Sequence, residues 1–121
     1  MGRRILVVDD DRPTLEMVSL LLERGGYEPV VSGNAAEALG IARVSRPDLI
    51  LLDVLMEPLN GWEFLDALLA DPALSSLPVM LFTACPLLKG EREKYRGHVM
   101  KVLQKPVYPP ELMSALDRFF A

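Results

Sequence analysis

The sequence predicts a doubly wound α/β domain, a parallel sheet covered by helices on both faces. Two observations carry this. The runs Ile5–Val8, Leu49–Leu52 and Val79–Phe82 are apolar at every position rather than at alternate ones, the pattern of strands buried on both sides. Segments with helical periodicity alternate with them, and no low-complexity linker interrupts the order. With 121 residues the chain is long enough for one real core and too short for two, so 1–121 is read as a single domain.

The elements follow in order. Ile5–Val8 is the first strand, and it runs into Asp9-Asp10-Asp11. Asp11 is placed to cap a helix over Pro13–Arg24, with Pro13 in its first turn, Leu15, Val18 and Leu22 on one face, and Gly25-Gly26 as its stop. Glu28–Val31 is a short second strand. Ala35–Val44 is a helix carrying Ala38, Leu39 and Ala42, ended before Pro47. Leu49–Leu52 leads straight into Asp53, and Gly61–Leu69 is the third helix, packed by Trp62 and Phe64. Val79–Phe82 ends at Thr83. The stretch from Pro86 to Gly97 is rich in alternating charge and predicts only a weak or short helix. Val99–Leu103 is a fifth strand, marked as an edge by Lys101. Pro110–Phe120 closes the chain as a helix with Leu112, Leu116, Phe119 and Phe120 as its apolar stripe.

In a parallel sheet with right-handed connections the carboxyl ends of the strands gather along one edge, and ligands bind there. That rule brings Asp9 and Asp10, Asp53, Thr83 and Lys105 to a single place. Adjacent carboxylates at the exit of a buried strand repel each other and resist desolvation, so they stay wet or are neutralised by a cation. A hard divalent ion such as Mg²⁺ suits carboxylate oxygen. A carboxylate beside such an ion, with a hydroxyl and an ammonium at hand, is a set suited to phosphoryl transfer. Each residue alone has a plainer reading: Thr83 as a strand-end hydroxyl, Lys105 as a solvated charge, Asp53 as a helix cap. The single histidine, His98, is read as structural or surface.

The stretches Ile5-Leu6-Val7-Val8-Asp9-Asp10, Pro47-Asp48-Leu49-Ile50-Leu51-Leu52-Asp53-Val54, Asn60-Gly61, Leu81-Phe82-Thr83-Ala84 and Lys105-Pro106-Val107 resemble the receiver domain of two-component response regulators over essentially the whole chain. The resemblance implies a (βα)5 flavodoxin-like three-layer sandwich with strand order 2-1-3-4-5. It implies a module that is not an enzyme, in which Asp53 takes a phosphoryl group from a histidine kinase or histidine phosphotransferase. Mg²⁺ would be held by Asp10, Asp9, Asp53 and the backbone carbonyl of Leu55, while Thr83 and Lys105 would hold the phosphoryl oxygens and the Lys105–Pro106 bond would be cis. Output would pass to a downstream protein, or into self-association, through the 87–121 face. Three features depart from the pattern: Val102 stands where the family usually has Tyr or Phe, Glu57 stands where it commonly has Pro, and the fourth helix, between Pro86 and Gly97, is weak.

Composition sets bounds on function. Thirteen basic against seventeen acidic residues, a net charge of −4, argue against nucleic acid as a direct partner. The one cysteine, Cys85, excludes an internal disulfide, and the apolar run after Arg3-Arg4 is too short for a signal peptide or a membrane span. A cytoplasmic location with no membrane partner is therefore expected. Two other readings stay open. One is a degenerate receiver that binds partners without phosphorylation. The other is a haloacid-dehalogenase-like phosphatase using Asp9 as nucleophile and Asp11 as acid.

Overall fold

A computed structural model describes residues 2–54, 60–84, 89–95, 97–106 and 108–121. Along the chain these form β1 (Arg4–Val8), α1 (Arg12–Arg24), β2 (Glu28–Ser32), α2 (Ala35–Ser45), β3 (Leu49–Leu52), α3 (Gly61–Ala70), β4 (Val79–Thr83), α4 (Lys89–Lys94), β5 (Val99–Gln104) and α5 (Pro109–Phe119). The five strands are all parallel in the order β2-β1-β3-β4-β5. This is the sandwich that the sequence predicts.

The all-apolar strands supply two half-cores, one per sheet face. Leu6, Val8, Ile50, Leu52, Val79 and Leu81 pack with Ala38 and Ala42 of α2 and with Phe64, Leu65 and Leu68 of α3. Their neighbours Ile5, Val7, Leu49, Leu51, Met80, Phe82 and Leu103 pack with Val18 and Leu22 of α1 and Leu112, Ala115 and Leu116 of α5. Alternate residues of one strand thus serve opposite layers, which is why no polar position interrupts the runs. Burial of each such side chain stabilises the fold by about 1.5–3 kcal/mol.

The helix ends follow local chemistry. The Asp11 carboxylate accepts from the Thr14 backbone N–H at 3.2 Å and from the Thr14 hydroxyl, and that hydroxyl holds its carboxyl below the usual range. Asn34 caps α2 by accepting from Ala36 and Glu37. At its other end Arg46 is left-handed (φ 47°), immediately before Pro47, which disfavours a further helical residue. Asn60 and Glu63 form a reciprocal capping box at the start of α3. The α5 start at Tyr108 has no side-chain cap; Pro109 and Pro110 bring no N–H groups that need one.

Two details differ from expectation. The α5 stripe is completed by the buried Ala115, while Phe119 is exposed. Phe120 turns its ring toward Tyr27 (centroids 6.0 Å apart), and Phe119 packs edge-on against Phe120 from outside at 5.0 Å. In β5 the pairing with β4 slips once, from Val79↔Val99 to Met80↔Lys101, so Met100 is an extra residue on that edge strand. The helix expected between Pro86 and Gly97 is indeed short, six residues.

Candidate functional site

Three backbone hydrogen bonds lock the strand ends together. Asp9 N–H donates to the Ser32 carbonyl at 3.1 Å, Asp53 N–H to Val8 at 2.9 Å, and Lys105 N–H to Thr83 at 2.9 Å. Each residue after a strand is therefore held by the neighbouring strand, and the side chains that follow share one edge. Asp9 (0% exposed), Asp53 (3%) and Thr83 (0%) are buried there, while Asp10 is exposed.

The Lys105 ammonium joins two of them. Its Nζ lies 2.7 Å from Asp9 Oδ2 and 3.2 Å from Asp53 Oδ2. The other Asp9 oxygen accepts from the Asp11 backbone N–H at 2.9 Å. Burial pulls Lys105 down, but the hydrogen bond to Asp9 and the charges of Asp9 and Asp53 outweigh it and hold the ammonium above its usual range. The Lys105–Pro106 peptide is cis.

One oxygen from each of Asp9, Asp10 and Asp53 lies within 4.8 Å of the other two. Opposite ligands of an octahedral Mg²⁺ stand about 4.2 Å apart. Small side-chain adjustment, or one contact through water, fits the three carboxylates to such an ion, and one ammonium leaves the group with charge to spare for it. The carboxylate chemistry fits Mg²⁺. Leu55 and Glu57 lie outside the described residues.

Gly61 closes the floor of the site. Its N–H donates to the Val54 carbonyl at 3.1 Å, and a Cβ there would stand 2.5 Å from both the Asp53 carbonyl oxygen and Val54 Cα. Only glycine lets α3 begin directly against the backbone of Asp53.

The sequence brings Asp9, Asp10, Asp53, Thr83 and Lys105 to one edge, and the structure places them there. Burial separates the two adjacent carboxylates, Asp9 lying inside and Asp10 at the surface. Sequence reasoning missed two contacts. Phe82 lies beneath the Lys105 ammonium, 5.1 Å from Nζ to the ring centroid. Trp62 stacks on Tyr95 (4.9 Å, 10° between planes), whose hydroxyl donates to Asp66 at 2.7 Å. Trp62 packs on the α2–α3 half-core as its sequence setting suggests, but no local pattern links it to a residue as far along the chain as Tyr95. Val102 is half-buried against the α2–α3 half-core. His98 is exposed, in line with a surface role.

Residues 5–117 match the sequence profile of the response regulator receiver domain. The chain belongs to this family. The polar-differentiation response regulator DivK of Brucella anthropi is 32% identical over 120 residues, covering 98% of this chain and 97% of that protein. The DNA-binding response regulator MtrA of Mycolicibacterium smegmatis is 36% identical over 118 residues; the match covers 94% of this chain and 49% of MtrA, so the chain spans about half of that relative. Among solved structures, the Vibrio cholerae chemotaxis protein CheY4 superposes with a TM-score of 0.88 at 30% identity, covering 98% of each chain.

Receiver domains are the signalling modules of two-component systems, and they interact with histidine kinases and downstream targets. Membership sets aside the phosphatase reading. The Asp11 carboxylate, which that reading needs as an acid, caps α1 instead. Among the described residues no helix is long and apolar enough to cross a membrane.

Proposed function

We propose that Asp53 of this receiver domain is a phosphoacceptor, charged by a histidine kinase or a histidine phosphotransferase. A carboxylate oxygen of Asp53 attacks phosphorus, the P–N bond to the donor imidazole breaks, and its electron pair returns to the ring nitrogen, which is protonated as the product forms. The product is an acyl phosphate. The Lys105 ammonium and the Thr83 hydroxyl receive the phosphoryl oxygens. Asp9, Asp10 and Asp53, with the backbone carbonyl of Leu55, would hold Mg²⁺. When bound, that ion neutralises charge that would otherwise repel an anionic donor.

The observation that carries this reading is the bridge of Lys105 Nζ between Asp9 and Asp53 at 2.7 and 3.2 Å. It joins residues after three different strands and sets a cation beside a buried carboxylate, where an incoming phosphoryl group needs one. Similarity along 97% of DivK supports treating 1–121 as one domain. It works in the cytoplasm through protein contacts, passing its state to a downstream protein or a second copy through the 87–121 face, without touching nucleic acid directly.

Incubation with a small acyl phosphate and Mg²⁺, followed by intact-mass measurement, tests the proposal. One phosphoryl group should be added to the wild type and none to Asp53→Asn, and chelation of Mg²⁺ should abolish labelling. Unlabelled wild type would instead favour the degenerate receiver.

A further inference from the structure

Phe82 takes no direct part in the proposed transfer, yet its ring faces the cation on which that transfer relies. It is 3% exposed, fixed in the half-core beneath α1 and α5, and sits one residue before Thr83. The Lys105 ammonium lies 5.1 Å from the ring centroid while also contacting Asp9 and Asp53. That distance is within the range in which an aromatic quadrupole attracts a cation.

We propose that Phe82 is a positioning residue for phosphoryl transfer, its π face holding the Lys105 ammonium between Asp9 and Asp53. This rests on the reading of Asp53 as phosphoacceptor. A lysine head is a compact charge on a flexible four-carbon stem, free to swing into water unless something restrains it. The carboxylates of Asp9 and Asp53 are two such restraints. A third polar partner in place of the ring would compete for its protons and draw it away from Asp53. An aromatic face attracts the charge without a directional acceptor, so the ammonium is held in place yet still free to turn its protons toward phosphoryl oxygens. An aliphatic side chain of similar volume would fill the same space without the attraction.

The test separates attraction from packing. In the full chain, Phe82 is replaced by 4-fluoro-, 3,5-difluoro- and 3,4,5-trifluorophenylalanine, which nearly keep ring size while draining the negative face. The initial rate of Asp53 labelling by a small acyl phosphate with Mg²⁺ should fall stepwise along the series. Phe82→Leu should be about two- to five-fold slower, the rate equivalent of one such contact at a partly exposed site. Independently of labelling, the Lys105 ε-methylene protons should show an upfield ring-current shift by NMR that Phe82→Leu removes. Rates that stay flat across the fluorinated series in a protein that labels at Asp53 would overturn this inference alone, and so would an unshifted Lys105 signal. Wild type that takes no label would overturn the phosphoacceptor reading along with it. The fluorinated series keeps the question decidable even if Phe82→Leu fails to fold.

Discussion

Gly61 shows how closely a single atom can govern the site. A methyl group there would press on the Asp53 carbonyl and on Val54 Cα, both backbone atoms that cannot rotate away. Gly61→Ala should therefore destabilise the fold by about 1–3 kcal/mol, as overpacking does, and should shift the backbone amide signal of Asp53. Urea unfolding with NMR of that amide checks both; an unchanged midpoint would show that α3 slides aside freely. At this scale the sequence was informative where a residue's surroundings are set by its own strand. Asp9, Asp53 and Thr83 each stand at the end of an apolar run, so their burial and common edge could be anticipated. It was silent where the partner comes from elsewhere. Phe82 reads as one more core residue until the β5 connection lays Lys105 over it.

Elements were legible in type and order, and less so in their ends. The α1 and α3 starts followed their caps, whereas the end of α5 did not follow its periodic stripe. Periodicity cannot know that Phe120 meets Tyr27 and leaves Phe119 outside. That same corner ties the α1–β2 turn to α5: the Tyr27 hydroxyl donates to Asp117 Oδ1 at 2.6 Å. Burial, then the hydrogen bond and charge of Asp117, push the Tyr27 phenol up to about 12. Because the folded value lies above the unfolded value of 10.0, the unfolded chain loses this proton first as pH rises. The contribution of Tyr27 to stability is thus complete below pH 10 and is lost between about pH 10 and 12. Thermal unfolding across that window should show a steeper alkaline loss for wild type than for Tyr27→Phe; parallel curves would count against the raised phenol.

The whole molecule is two half-cores divided by a sheet one residue thick. Leu68 belongs to the α2–α3 side and Leu116 to the α1–α5 side, both fully buried. Each truncation to alanine should cost about 2–5 kcal/mol. Because the two side chains belong to different half-cores, the double variant should equal their sum within about 0.5 kcal/mol; a larger discrepancy in chemical denaturation would mean that strain crosses the sheet. At this scale the buried apolar runs made the layered parallel class legible, whereas the strand order β2-β1-β3-β4-β5 came with the family resemblance and not from the runs themselves. Trp62 of α3 stacks on Tyr95, the residue that follows α4. Trp62 is the sole tryptophan of the chain, lying one residue beyond the glycine that touches Asp53 and flat against Tyr95 before β5. Its indole emission therefore arises from one spot, where the floor of the acidic edge meets the layer proposed above to carry output. The protein carries its own optical gauge of whether those two regions move together.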